Sequence, residues 1–404
     1  MTIQEIIASL PGARDKLQEI REIIVANAVM ISEIPAPTGQ ERERIEFITS
    51  RFQEFGLQNA CIDEFGNAQA ILPGRAAAHN ILVAAHADTV KDEAGFGSAA
   101  AVKSDAIDGW GIADNGLGLA ALVSLPEILR RLDVTLDSDL ILLAQTQSLG
   151  RGDLGGIRFF LEHVQLPIVA GICLEGAQLG RLSYSCLGMN RNKIVCEVPA
   201  EPTQWQETGS KSALVTMGEI LQKLSAIPVP QNPRTTVIIG SMRAGTGYNS
   251  PPTRAALRFE VRSEQVGMAR QIREQIEEII DEVSAETGTV TSIEVLARRI
   301  PGGIPFSHPL VKATRDIMRG LNITPTFHPS VGDLAALIFK KIPSVTVGIS
   351  RGLNIHAPTE SVEIEPIFSG LAQLVGLLQF IDAHPGQMEP PPTPEGLEYY
   401  EGDA

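Results

Sequence analysis

Positive charge is in short supply in this chain: 33 Lys and Arg stand against 48 Asp and Glu, a formal net charge of -15. A surface that acidic disfavours phosphate backbones and anionic bilayers, and no Lys/Arg stripe offsets it, so neither nucleic acid nor membrane is expected as a partner. Cysteine is scarce too. The four present (Cys61, Cys173, Cys186, Cys196) show no C-x-x-C spacing, and Cys173 lies in an apolar run, the setting of a reduced buried thiol rather than a disulfide framework. No basic segment followed by an apolar stretch opens the sequence, and no run of 18 or more apolar residues occurs, so neither signal peptide nor membrane span is expected. These absences together place the protein, as an expectation, in a reducing cytoplasm.

What remains is ordinary: 404 residues, 44% hydrophobic and 20% charged, which suits a globular chain too long for one core. In the first half, short apolar runs (Ile81–His86, Leu140–Ala144, Ile168–Leu174) read as strands buried on both faces. Helical stretches, Gly118–Leu132 and Gly156–His163, alternate with them. Such alternation implies parallel pairing with right-handed crossovers, hence a doubly wound α/β sheet. The same grammar returns late, with helices over Val311–Arg319 and Leu334–Lys340 and a strand over Ser344–Ile349.

The middle third differs. Strands are expected over Lys193–Val198, Thr235–Ile239 and Ala255–Arg262. Val266, Ala269, Ile272, Ile276, Ile279, Ile280 and Val283 recur at helical spacing, the mark of an amphipathic helix. Residues 191–298 therefore read as an α+β domain inserted into a larger one made of 1–190 and 299–384. The stretch from Pro385 to the end is Pro-rich and acidic and is expected to be poorly ordered.

The strongest chemical signal is AAHADTV, Ala84 to Val90, at the end of a buried strand, where open α/β sheets hold their sites. In His86-x-Asp88 an imidazole can bind metal while a carboxylate two residues on fixes its tautomer. Asp114 follows 28 residues after His86, between glycines and just before a helix. A carboxylate there can bridge two metals, or simply cap the helix. Glu175 ends another strand, where a partner or a solvated loop would satisfy it, and His356 follows the strand ending near Ile349. Each alone has a plain structural reading. Four such residues at the ends of separate strands form a pattern of nitrogen and carboxylate donors that suits zinc.

With these residues in place, the chain resembles, along nearly its whole length, the zinc exopeptidase family that includes aminoacylases, tripeptidases and desuccinylases. Further matching pieces are SEIPAPTGQERERIEFI (Ser32–Ile48), EFGN (Glu64–Asn67), GDLGGIR (Gly152–Arg158) and GTGYNSPP (Gly245–Pro252) with Arg262 beyond it. The resemblance implies a first metal on His86, Asp114 and Glu175, and a second on the bridging Asp114, a Glu and His356. It also implies that the inserted domain serves as a lid and joins two chains into a homodimer, and that the substrate is a small peptide or an amino-acid derivative.

The chain departs from the family twice. Where the family carries an adjacent Glu-Glu pair, one Glu the general base and one a ligand of the second metal, this sequence reads LLAQTQSLGRGDLGG (Leu142–Gly156). One register puts Gln147 and Ser148 at the pair, the other Ser148 and Leu149. Neither supplies a carboxylate, and general acid–base catalysis typically contributes roughly 10²–10⁴-fold. Asp153 is the nearest acid, but the family already has an aspartate at its place. The family's lid also offers an oxyanion-binding His; the seven histidines here (79, 86, 163, 308, 328, 356, 384) leave 191–298 without one. Such a donor typically contributes roughly 10²–10³-fold. Asn249 and Arg262 remain as candidate substrate contacts, with a turn residue and a surface salt bridge as their alternatives.

Three functions compete. A metallohydrolase with a rearranged base accounts for the retained His86, Asp88, Asp114, Glu175 and His356. A non-hydrolytic binder of small peptides or amino-acid derivatives accounts for the missing Glu pair and lid His. A structural subunit has no specific support. The expectation is one zinc ion per chain rather than two, with hydrolysis impaired.

Overall fold

In a computed structural model of the protein, residues 1–90, 99–199, 212–248 and 250–393 are described. The chain divides into two compact units, one of Met1–Cys186 and Gly303–Pro392, the other built on Leu187–Gly302.

The first unit is organised by an eight-stranded sheet. Its centre is four parallel strands in the spatial order Asp139–Gln145, Asn80–His86, Ile168–Glu175, Ser344–Gly348. Gln58–Ile62 and Ala68–Leu72 extend one edge as an antiparallel pair, and Arg181–Ser183 and Thr326–Phe327 extend the other. The central strands are unbroken apolar runs because both faces are covered. Ile81, Val83 and Ala85 join one core with the helices Leu117–Leu132 and Glu365–Ala383. Leu82 and Ala84 join another with the helices Gly155–His163 and Leu334–Phe339. The mixed α/β sheet expected from the alternation is present, with its elements displaced by only a residue or two from the sequence reading. Two apolar helical segments, Ile112–Leu132 and Glu365–Ala383, have the length and composition to cross a bilayer, although no membrane span was expected from the sequence. The most apolar 18-residue stretches of the two are 83% and 78% buried within the protein, as in core helices.

Parallel pairing also aligns strand ends. His86 lies opposite Gln145, and Glu175 opposite Gly348. The carboxyl ends of the four strands thus form one row, and the loops that follow them converge above it.

The second unit is a four-stranded antiparallel sheet in the order Thr235–Ala244, Arg254–Ser263, Gly188–Glu197, Val290–Arg299. Helices Ala213–Ser225 and Val266–Thr287 cover one face, meeting Ile194, Leu257 and Phe259 with Met217, Ile272 and Ile276.

One expectation needs correction. The start of the segment expected to be poorly ordered from Pro385 is packed: Met388 is 7% exposed, and His308 Nε2 donates to the Glu389 carbonyl at 3.0 Å. Here the buried Met388 and Pro391 and one ring N–H anchor residues whose composition suggested a tail. Residues 394–404 lie outside the described residues.

A close approach near the strand ends gives a test of this packing. The Asn115 amide donates to the Leu174 carbonyl at 2.8 Å and accepts from the Gly176 N–H at 2.7 Å. A Cβ at Gly118 would meet Asn115 Oδ1 at 2.1 Å. Gly118→Ala is expected to lower stability by about 1–3 kcal/mol in urea unfolding, the usual cost of overpacking; an unchanged midpoint would show that the Asn115 link yields freely.

Candidate metal centre

The row of strand ends brings together four of the residues singled out from the sequence. His86 closes its strand and is almost wholly buried. Its Nδ1–H donates to the Asp88 backbone carbonyl at 3.0 Å, with Asp88 Oδ1 at 3.4 Å. That leaves Nε2 facing Asp114 Oδ1 at 2.9 Å. Asp114 does not cap the following helix, whose N-cap is Gly116; it sits in the turn Ile112–Gly116 instead. Its second oxygen, Oδ2, meets His356 Nε2. One carboxylate therefore turns an oxygen to each of two imidazoles, the arrangement of a bridging ligand. Glu175 completes the group: one ligand atom each from His86, Asp114 and Glu175 lie within 4.8 Å of one another.

The donor chemistry fits a metal. Imidazole and carboxylate donors about 2.0–2.2 Å from an ion are the usual zinc set, three or four in number. His86, Asp114 and Glu175 supply three. On the far side Asp114 Oδ2 and His356 supply two. Ser148 points elsewhere: its hydroxyl donates to Asp333 Oδ1 at 2.7 Å.

The electrostatics follow from crowding charge out of water. Burial alone would lower the His86 pKa, but Asp114 and Asp88 together raise it well above its ordinary value. Burial would raise Asp114, yet the two imidazoles depress it instead. His356 is raised by its hydrogen bond to Asp114. Burial raises Glu175.

Sequence reasoning missed four buried groups around these residues. Glu360 accepts from the backbone N–H of Ala113 at 2.6 Å, Asp114 at 2.8 Å, and Gly111 and His356 at 3.3 Å each. Asp333 accepts from Gln145 Nε2 at 2.8 Å as well as from Ser148, and burial raises its pKa. Glu41 accepts from the Gln147 N–H at 3.0 Å and from Gly39. Arg44, 1% exposed and lowered by burial to about 10, donates through Nη1 to the Ala87 carbonyl at 2.9 Å. Glu41 and Arg44 fall inside a segment already matched by resemblance, Ser32–Ile48, which was the available signal; Glu360 and Asp333 had none.

Other sequence candidates lie in different settings. Asp88, expected to orient His86, gives its carboxylate mainly to Thr38 Oγ1 (2.8 Å) and to the Ser148 and Leu149 N–H groups (3.1 and 2.8 Å). Its closer contact with His86 is the backbone carbonyl. Asp153 stands 3.5 Å from Arg158. Gln147 is held through its backbone by Glu41. Arg262, in the second unit, donates to Glu260, which also takes Arg191 at 2.8 Å. Asn249 lies outside the described residues.

Residues 82–379 match the profile of peptidase family M20/M25/M40. The chain belongs to this family. Among curated relatives, the LysW-lysine/LysW-ornithine hydrolase of Saccharolobus islandicus is 21% identical over 363 residues, covering 88% of this chain and 96% of its own. A putative LysW-lysine/LysW-ornithine hydrolase of Thermococcus kodakarensis is 38% identical over 79 residues, only 20% of either chain. Among solved structures, the dipeptidase Dug1p of Saccharomyces cerevisiae has a TM-score of 0.76 at 11% identity, covering 93% of this chain and 99% of its own. The YXEP protein of Bacillus subtilis, described as a dinuclear metal binding peptidase of the M20 family, has a TM-score of 0.63 at 18% identity, covering 89% of this chain and 98% of its own. These structures share the fold of this M20 chain.

The charge pattern sets a pH signature for the metal-free protein. Because the folded His86 pKa lies above its ordinary 6.5, its attraction to Asp114 contributes in full below about pH 6.5 and is lost as pH rises through the raised value. The depressed Asp114 contributes in full above its ordinary 3.8 and loses this as pH falls through the depressed value. The metal-free protein is expected to lose more Tm than its His86→Ala variant between pH 6.5 and 9, read by calorimetry. Parallel losses would mean that the His86–Asp114 pair is not formed.

Proposed function

We propose that this M20 chain is a zinc-binding protein of the peptidase and amidohydrolase type that takes a small peptide or N-acyl amino acid, with hydrolysis impaired. The observation that carries the reading is the loop after Gln145. It reaches the row of strand ends where His86 and Glu175 stand, yet it presents Thr146, Gln147, Ser148 and Leu149, none of which accepts a proton as a carboxylate does. Membership in a family of hydrolases and the retained His86–Asp114–Glu175 group support metal binding; the loop's side chains support slow chemistry.

In this reading His86, Asp114 and Glu175 hold one zinc ion, and His356 with Asp114 forms a second, weaker position. A bound zinc ion supplies Lewis acidity toward a carbonyl oxygen. The protein's own groups prepare the rest. Nδ1 of His86, donating to the Asp88 carbonyl, keeps Nε2 directed at the centre. Asp88 and Glu41 hold the backbone of residues 147–149, which helps to fix the loop's shape.

A second reading rests on one contact. Asp333, a buried carboxylate with a raised pKa, accepts the Ser148 hydroxyl at 2.7 Å. Ser148 could take a proton from a water on its hydroxyl oxygen while passing its own to Asp333, a relay that leaves Ser148 neutral and would make this pair a displaced general base and the protein a working hydrolase.

Two experiments separate these readings. Metal content, measured after zinc loading and desalting, is expected to be one ion per chain in the native protein and none in His86→Ala; an unchanged zinc content in the variant removes the site assignment. On a panel of dipeptides and N-acetyl amino acids, the double variant Gln147→Glu/Ser148→Glu is expected to gain on the order of 10²-fold or more in kcat/KM. A native protein already at ordinary hydrolase rates that loses them in Asp333→Asn establishes the second reading instead.

A further inference from the structure

The two loops that carry Asp114 and His356 are 242 residues apart in sequence and share one anion. The Glu360 side chain, 1% exposed, accepts four backbone N–H groups: three from the Gly111–Asp114 turn and one from His356. Two of those N–H groups belong to left-handed residues, Gly111 at φ 69° and His356 at φ 68°. For His356 this backbone is disfavoured, since its Cβ crowds the chain there. The Glu360 backbone carbonyl also accepts from Gly109 at 3.0 Å, so the residue ties the turn through side chain and main chain together.

From this geometry we propose that Glu360 is the positioning residue of the metal centre, a single carboxylate that locks the Asp114 turn and the His356 loop into one rigid frame. Its carboxylate is given to backbone N–H groups, so in this role it acts through Asp114 and His356 rather than as a ligand. Its effect is that Asp114 Oδ2 and His356 Nε2 face each other before any ion arrives, so metal binding spends nothing on ordering two separate loops. The proposal rests on the metal-binding reading above, and it extends that reading from the ligands to the group that sets their affinity.

Glu360→Gln tests it, because the isosteric amide turns an NH₂ group toward at least one of the N–H donors. Zinc affinity, measured by competition with a chromogenic chelator, is expected to fall 10–100-fold, the usual effect of disturbing a ligand's supporting partner. Hydrogen exchange in the metal-free protein is expected to speed up in residues 109–116 and 352–360 together. Asp382→Asn serves as the control: Asp382 accepts from the Asp137 and Ser138 N–H groups at 3.1 and 2.7 Å, and its loss should lower Tm without changing zinc affinity. Native zinc affinity in Glu360→Gln overturns the proposal, as does faster exchange confined to one of the two segments. If Glu360→Gln does not fold, Glu360→Asp is read the same way; it keeps the charge but shortens the reach, and native affinity there also overturns the proposal. A native protein that binds no zinc sinks the metal reading itself, while the paired exchange result still decides the coupling of the loops.

Discussion

A carboxylate taken out of water must find compensating charge, and Asp114 finds it on both sides. His86 faces one of its oxygens and His356 the other. Everything nearby serves to keep those three groups apart in sequence and together in space. The parallel strands bring His86 and Glu175 to one level. Asn115 links the Asp114 turn to the backbone on either side of Glu175. Without the central anion, two imidazoles and several buried acids would have no reason to share the site.

A second feature is how often an acid here binds backbone rather than a basic side chain. Asp88 and Glu360 each accept several main-chain N–H groups from loops remote in sequence, and Glu41 accepts one. Such bonds to charged acceptors are stronger than neutral ones and hold loop shape directly. Arg44 does the converse, giving its guanidinium to the Ile34 and Ala87 carbonyls. The polar interior is thus a frame for loops, and the apolar faces of the sheet are a separate matter of packing.

Much of this could be read from the sequence, for identifiable reasons. Runs such as Ile81–His86 declare a doubly covered strand because no polar residue interrupts them, and the spacing from Val266 to Val283 permits only a helix. His86, Asp114, Glu175 and His356 were visible because each follows a strand or precedes a helix, positions that periodicity locates. Asp333 was not visible. Its partners Gln145 and Ser148 are 188 and 185 residues away, and a single acid before a short helix resembles any surface cap. Asp88 was legible as a neighbour of His86, but its bonds to the loop at 148–149 required the fold. The packing of Met388 and Pro391 escaped because composition describes a tail's average and two buried apolar side chains are enough to defeat it.

The loop after Gln145 has a consequence beyond its present chemistry. Its backbone is gripped from outside, by Asp88 at residues 148 and 149 and by Glu41 at residue 147, while among its side chains Ser148 is tied to Asp333. The grip of Asp88 and Glu41 falls on main-chain N–H groups, which every residue but proline carries. A substitution at 147 or 149 therefore changes the chemistry the loop presents while those bonds hold its path; one at 148 also removes a partner of Asp333.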